Sequence, residues 1–138
     1  MAELFNLEIH TPYHLFYSKQ AEAVVVTLMN GEIGVYANHS PFTAPVVTSV
    51  LKIKDQEGVW KEAFVAEGII EVKRRKVVLL VQAAEWPEEI DYDRAMTAKQ
   101  KAGEILEAKG FKFETATAAA KLKRAETRLK VYAGSGKK

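Results

Sequence analysis

The chain has 138 residues, 48% hydrophobic and 28% charged, which suits one globular domain or two small ones. It has no cysteine, so disulfides and thiolate metal sites are excluded, and no stretch approaches the ~20 apolar residues of a membrane-spanning helix. The net charge of +2 is uneven: residues 1–86 carry 8 Lys/Arg and 10 Asp/Glu, whereas residues 87–138 carry 12 and 8. The C-terminal part is therefore expected to meet any acidic partner.

Short segments with strand character fill the first part of the chain. Phe5, Leu7 and Ile9 alternate with polar residues, and the sequence at 30–32, Asn-Gly-Glu, is typical of a hairpin turn. Strands are predicted at 3–10, 22–29, 33–36, 43–48, 50–54, 59–65, 69–73 and 76–82, with turns at 11–14, 30–32, 55–58 and 73–76. This spacing predicts an antiparallel β-sandwich or flattened barrel.

The pattern becomes helical after Trp86-Pro87. A first helix is predicted from Ile90 to Lys109, with Gly110 as its stop, and a second from Glu114 to Tyr132. Apolar residues at helical spacing are Ala95, Ala98, Ala102, Ile105 and Leu106 in the first helix, and Ala118, Leu122, Ala125, Leu129 and Tyr132 in the second. The sequence thus predicts an α+β protein with a β-domain at 1–86, a helical hairpin at 87–133 and a disordered tail at 134–138.

Enzyme chemistry has little support in this sequence. His10 and His14 are four residues apart but flank a turn across Pro12, so they cannot be a helical metal pair. No phosphate-loop, dinucleotide, zinc-protease or serine-hydrolase motif occurs. The run Lys73–Lys76 is basic, but aromatic residues are not interleaved with the cations as single-stranded nucleic-acid binding requires. We therefore expect no catalytic residue, no metal, no required cofactor and no nucleic-acid partner.

One segment goes beyond composition. GEIGVYANHSPF at 31–42 resembles G-E-[IL]-G-V-x-x-x-H-x-P, the signature of the epsilon subunit of F-type ATP synthases. EGIIEV at 67–72 is similar to that family's G-G-F-x-E-V, with Glu67 at the first glycine. VVLLVQAAE at 77–85 resembles the last strand of the family, and IDYDRA at 90–95 resembles the I-D-x-x-R-A that begins its helical part.

The resemblance implies a ten-stranded β-sandwich, a helix–turn–helix and a place in the rotor of a proton-translocating ATP synthase, although the ion could equally be sodium. The β-domain would dock on the gamma subunit and the c-ring. The chain is therefore expected to assemble with these partners and not to form a homo-oligomer. Glu32 would face the c-ring or be a solvated turn residue, and His39 would contact gamma or order its own loop. Since the N-terminus predicts neither a signal nor a transit peptide, the location expected is peripheral, on the cytoplasmic face of a bacterial membrane.

The stretch EEIDYDRA at 88–95 has two interpretations. By local chemistry Asp91 is a helix N-cap, and the neighbouring acids favour the positive end of the helix dipole. By resemblance it belongs to an ATP site, in which Asp91 and Arg94 bind the nucleotide and Glu85 binds adenine. The full set implied by the resemblance is Glu85, Asp91, Arg94, Ala95, Arg124 and Arg128. Lys101 stands where relatives carry another arginine and cannot form a bidentate fork, so modest affinity is expected.

The resemblance also implies regulation. In an extended state the second helix would meet the acidic C-terminal region of a beta subunit through Lys121, Arg124 and Arg128, and thereby brake ATP hydrolysis. ATP, as a regulatory ligand, would bias the hairpin to its folded state. Two alternatives stay open: a purely structural coupling subunit without nucleotide sensing, and a β-sandwich adaptor outside this family.

Overall fold

The computed structural model describes residues 3–108 and 112–135, with the backbone alone at 112–114. Two compact units, Met1–Trp86 and Pro87–Lys138, divide the chain. The first unit contains β1 (Phe5–His10), β2 (Leu15–Leu28), β3 (Gly31–Tyr36), β4 (Phe42–Val46), β5 (Ser49–Asp55), β6 (Trp60–Val65), β7 (Gly68–Val72), β8 (Lys76–Val81) and β9 (Ala84–Glu85). The second contains a 3₁₀ turn (Pro87–Glu89), α1 (Tyr92–Glu107) and α2 (Lys112–Gly134).

The strands form one folded-over sheet in the order β4-β7-β8-β1-β2-β5-β6-β9, with β3 also paired to β2. The predicted fold class, a β-sandwich followed by a helical hairpin, is confirmed. Three details differ from the prediction: the described residues form nine strands rather than ten, the β1–β8 pair is parallel, and the sheet does not close into a barrel. β2 serves both layers, since its first half pairs with β1 and its second half with β3 and β5.

The core of the first unit comes from the inward positions of these strands. Phe5, Leu7 and Ile9 alternate as predicted and are at most 2% exposed. Other fully buried side chains come from both halves of the sandwich and include Val24, Val26, Val35, Leu51, Ile53, Ile70 and Leu79. Each large side chain buried this way stabilises the fold by about 1.5–3 kcal/mol. The hydrophobic cluster lies wholly within the first unit, from Phe5 to Ala84.

The predicted turns at 30–32 and 55–58 are present, and each has a physical cause. Gly31 has φ 127°, a conformation that disfavours any residue with a side chain and that closes the β2–β3 hairpin. Asp55 closes the other turn, because one of its carboxylate oxygens accepts from the backbone N–H groups of Glu57 and Val59, both at 2.9 Å. These backbone bonds, Val59 first, lower the pKa of Asp55.

Glu67 and Gly68 together explain the departure from the family's double glycine. A Cβ on Gly68 would lie 2.0 Å from the carbonyl oxygen of Leu80, so only glycine fits there. Glu67 is half-buried, and its carboxylate accepts a hydrogen bond from the Thr48 hydroxyl at 3.1 Å. The first position therefore tolerates a side chain and the second does not.

The second unit is an antiparallel pair of helices. Asp91 is the N-cap of α1, as predicted, and its carboxylate accepts from the backbone N–H of Arg94 at 3.0 Å. The rings of Tyr92 and Tyr132 lie 5.1 Å apart, so the start of α1 meets the end of α2. Of the apolar residues that the sequence places at helical spacing, Ala95, Ala102, Ala118 and Ala125 are buried.

Some predicted details of the helices differ or fall outside the described residues. Ile105, one of the apolar residues at helical spacing in the first helix, is 42% exposed, whereas Val131 and Thr127 are buried without having been predicted. The predicted stop at Gly110 lies outside the described residues. Gly134 ends α2 and Ser135 donates its backbone N–H to the carbonyl of Tyr132, while the rest of the predicted tail, 136–138, is not described.

Candidate functional site

An apolar row crosses the outward face of the sheet. Strand register places Pro45 beside Ile69, Ile69 beside Leu80, Leu80 beside His10, and His10 beside Leu15. Leu80 is 52% exposed, Leu15 50% and Ile69 39%. At ~4.8 Å between neighbouring strands, this apolar row (Pro45, Ile69, Leu80, His10 and Leu15) is about 19 Å long. Because large apolar side chains gain from leaving water, such a row is a candidate docking surface.

The same face becomes charged towards the β7–β8 turn. Glu8 contacts two basic side chains, since its carboxylate lies 2.9 Å from the Nε2 atom of His10 and 3.2 Å from the Nζ atom of Lys76. The bonds from His10 and then Lys76 lower the pKa of Glu8. Glu71 forms a further pair with Lys73 at 3.4 Å. The outward face of β7, β8 and β1 is therefore apolar at one end and ionic at the other.

Sequence reasoning missed the apolar row. In KVVLLV at 76–81 the apolar residues are continuous, so the run shows that strand β8 is apolar on both faces but not which residues face outwards. Leu15 lies in the first half of β2, which has no β-branched residue and was not predicted as strand. The two-residue alternation of strand β1 could have indicated the row, because the outward residues of β1 lie beside outward residues of the strands that pair with it.

Glu32 lies at the start of β3, opposite Thr27, and is exposed. Its carboxylate lies 4.0 Å from Nζ of Lys52, with both side chains largely in solvent. A surface pair of this kind contributes little free energy, so Glu32 keeps the freedom to bind another cation. Its role at a c-ring stays a prediction.

His39 is half-buried in the loop after β3. Its Nδ1–H donates to the carbonyl of Ser40 at 2.8 Å, and its ring lies 5.3 Å from that of Phe42. Asn38, at φ 66°, donates its side-chain amide to Glu3 and its backbone N–H to the carbonyl of Arg74. These bonds support the loop-ordering role proposed as one alternative for His39, while a contact with gamma stays a prediction.

The six predicted nucleotide-binding residues fall in both units. Glu85 belongs to the first, in β9 opposite Phe64. The second unit brings Asp91 together with Arg94 and Ala95, whose backbone N–H groups donate to the Asp91 carboxylate and carbonyl respectively. Ala95 is 4% exposed, so its methyl group serves packing.

The basic residues of α2 lie on successive turns of one helix. Arg124 and Arg128 are four residues apart and half-buried, whereas Lys121, three residues before Arg124, is exposed. Because residues four apart are neighbours on a helix surface, the two arginines form a local cationic site. Their predicted part in binding a nucleotide stays a prediction.

An open groove of about 620 Å³ runs between α1 and α2, and none of the six predicted nucleotide-binding residues lines it. Its lining includes Met96 and Leu122 together with the carboxylates of Glu104, Glu107 and Glu126. Carboxylates repel phosphate, so this groove is a poor nucleotide site.

No described helix is both long and apolar enough to cross a membrane. Within residues 3–108 and 112–135, the structure also shows no cluster of three or more side chains of the metal-ligating types His, Cys, Asp and Glu.

Each of the two units matches a family of known proteins. Residues 4–87 match the family model of the ATP synthase delta/epsilon chain β-sandwich domain, and residues 88–133 match that of its long α-helix domain. The chain is 47% identical over 132 residues to the ATP synthase epsilon chain of Caldanaerobacter subterraneus subsp. tengcongensis, covering 95% of both chains. It is 44% identical over 131 residues to that of Caldicellulosiruptor bescii, covering 95% of this chain and 94% of the relative.

A solved structure shows the same fold at low sequence identity. A chain in the Euglena gracilis mitochondrial ATP synthase, determined with OSCP, F1 and the c-ring, superposes with a TM-score of 0.80 at 17% identity. The match covers 90% of this chain and 78% of that one.

Proposed function

Because the chain belongs to the ATP synthase delta/epsilon family, as a non-catalytic subunit, we propose that it docks by its β-sandwich on the gamma subunit and the c-ring. In that position it couples proton flow to ATP synthesis as part of the central stalk. Its location is peripheral, on the cytoplasmic face of a bacterial membrane. Family membership sets aside the adaptor alternative.

The apolar row is the observation that carries the docking proposal. Four strands each contribute one exposed apolar residue to the row: Pro45, Ile69, Leu80 and, beyond His10, Leu15. Polar residues could occupy these exposed positions, so a row of apolar side chains indicates a binding surface. A partner helix laid across the row would bury them together. Glu32 lies on β3, which is hydrogen-bonded to β2 and forms no part of the row, so it is free to meet the second partner, the c-ring.

The docking proposal predicts that Leu80→Glu prevents assembly. The substitution puts a carboxylate into the centre of the apolar row, and an unpaired charge at an interface centre costs ~2 kcal/mol or more, about thirtyfold in affinity. Binding of the full chain to F1 prepared without it is measured by biolayer interferometry. Val59→Glu is the matched control, since Val59 is equally exposed, at 52%, but lies in the β5–β6 turn. Equal binding by both variants would contradict the docking proposal.

The regulatory part of the proposal concerns the helices. The hairpin inhibits ATP hydrolysis when α2 extends, with Lys121, Arg124 and Arg128 pairing with acidic residues of a beta subunit. ATP bound by Glu85, Asp91, Arg94, Arg124 and Arg128, beside Ala95, holds the hairpin folded, because a ligand favours the state that binds it more tightly. The neighbouring positions of Arg124 and Arg128 on α2 support this assignment.

The nucleotide proposal predicts saturable ATP binding that Arg94→Ala removes. Asp91 caps the helix through the backbone N–H of Arg94, so alanine keeps the cap and removes only the guanidinium. Calorimetric titration of the full chain should show a loss of about tenfold or more in affinity for Arg94→Ala, as expected for a lost charge-assisted phosphate contact. Lys99→Ala, also in α1 and exposed, is the control. If ATP does not bind the unaltered chain at millimolar concentration, the stretch 88–95 is only a helix start, and any control must come from rotation and charge alone.

A further inference from the structure

The β7–β8 turn carries four consecutive cations held in a fixed backbone conformation. All four residues of this cationic tip (Lys73, Arg74, Arg75 and Lys76) are exposed. The backbone N–H of Lys73 donates to the carbonyl of Lys76 at 2.8 Å. Asn38 donates to the carbonyl of Arg74 at 3.0 Å, and the backbone N–H of Asn6 donates to that of Arg75 at 2.9 Å. Two neighbouring segments therefore anchor the tip.

The two lysines of the tip are neutralised and the two arginines are not. Lys76 pairs with Glu8 at 3.2 Å and Lys73 with Glu71 at 3.4 Å. Among the described residues, no carboxylate lies within ion-pair distance of Arg74 or Arg75. The tip thus presents two adjacent guanidinium groups on an anchored backbone, and the ordering cost of their main chain is already met by folding.

The cationic tip and the apolar row belong to one face. Lys76 and Leu80 both lie at outward positions of β8, four residues or about 13 Å apart at ~3.3 Å per residue. The tip is displaced from the row along the strands, at right angles to the row, so a partner that meets both must also span about 13 Å along β8. A standard interface buries about 800 Å² on each partner and is wide enough to do so. Resting on the docking proposed above, we infer that Arg74 and Arg75 form the ionic end of the docking surface and bind carboxylates of the protein that covers the apolar row.

Protein carboxylates fit this tip better than a lipid surface. Electrostatic attachment to anionic lipid takes a cluster of about four to eight basic residues, each contributing ~1 kcal/mol, and only two cations here are without a carboxylate partner. The tip, from 73 to 76, also has no apolar side chain that could insert into a bilayer. Arginine instead offers a planar fork that matches a carboxylate with two parallel hydrogen bonds.

The test compares Arg74→Gln/Arg75→Gln with the control Lys19→Gln/Lys99→Gln, which removes the same charge from exposed positions elsewhere. Binding of each full chain to F1 prepared without it is measured at about 0.05 M and about 0.3 M NaCl. The arginine variant should bind about five- to thirtyfold more weakly than the control at low salt, and the difference should shrink at high salt. Thermal melts establish that both variants are folded.

Three results would overturn the inference, and they differ from a failure of the docking itself. Equal affinity of the two variants would show that the arginines do not meet the partner. A deficit independent of salt would show that their contribution is not ionic. Binding of the unaltered chain to phosphatidylglycerol vesicles, lost in the arginine variant, would assign the tip to lipid. If Leu80→Glu binds F1 normally, it is the docking proposal that fails.

Discussion

Gly68→Ala is expected to unfold or severely destabilise the β-sandwich. The added Cβ would lie 2.0 Å from the carbonyl oxygen of Leu80 and 2.7 Å from the Cα atom of Val81, and both are backbone atoms of the paired strand β8. No side-chain rotation relieves such a contact, so the β7–β8 ladder must separate. Overpacking of this kind costs about 3 kcal/mol or more, against a total stability of about 5–15 kcal/mol. Urea denaturation followed by circular dichroism measures the loss.

Gly103→Ala is the matched control for this effect. Gly103 lies within α1, and a Cβ built there has no atom within 4 Å. Alanine at that position should therefore stabilise the chain by about 0.5–1 kcal/mol, because it restricts the unfolded chain and favours helix. If Gly68→Ala unfolds at the same urea concentration as the unaltered chain, the inferred close contact between the β7 and β8 backbones is wrong.

The two glycine environments also explain why a family motif tolerates one change and not another. In the pair at 67–68, Glu67 extends towards Thr48 and accepts its hydroxyl hydrogen bond, whereas Gly68 lies against the β8 backbone. In the sequence, Glu67 adds bulk and charge at a glycine position of the family motif. The structure shows that the close packing belongs to the second glycine.

Local chemistry predicted those parts of the fold that local chemistry controls. The alternation of Phe5, Leu7 and Ile9 gave a strand, and Asp91 gave a helix cap, because strand period and capping depend on a few neighbouring residues. The first half of β2 was missed, since Leu15–Gln20 is poor in β-branched residues and is held as strand by pairing with β1. Tertiary pairing there outweighs intrinsic propensity.

The candidate site shows the same difference between residues that are close in the chain and residues brought together by strand pairing. Glu32 and His39 were predicted from a contiguous motif, because they lie in one hairpin and the loop that follows it. The apolar row was not found, since Ile69, Leu80 and Leu15 are far apart in the chain and only strand register makes them neighbours. The ionic role proposed for Arg74 and Arg75 likewise depends on Glu8 and Glu71, which pair with the flanking lysines. Surfaces assembled across strands need the pairing scheme before they can be recognised.

Ending the chain after Trp86 is expected to raise ATP hydrolysis by the assembled complex severalfold while leaving proton coupling intact. The shortened chain keeps the whole hydrophobic cluster from Phe5 to Ala84, and Trp86 keeps its stack on Phe16 at 4.6 Å. It also keeps the apolar row and the cationic tip, so docking should persist. What it loses is α2, with the Lys121, Arg124 and Arg128 cations of the proposed brake.

The measurement pairs ATP hydrolysis with ATP-driven proton pumping in vesicles containing the reassembled enzyme. Lys121→Gln/Arg124→Gln/Arg128→Gln in the full chain separates charge from bulk, since it keeps the helices and removes the cations. If the brake is electrostatic, this variant should release hydrolysis nearly as well as truncation does, and salt should mimic it by screening. Unchanged hydrolysis in the truncated complex would instead leave the hairpin a purely structural part of the stalk.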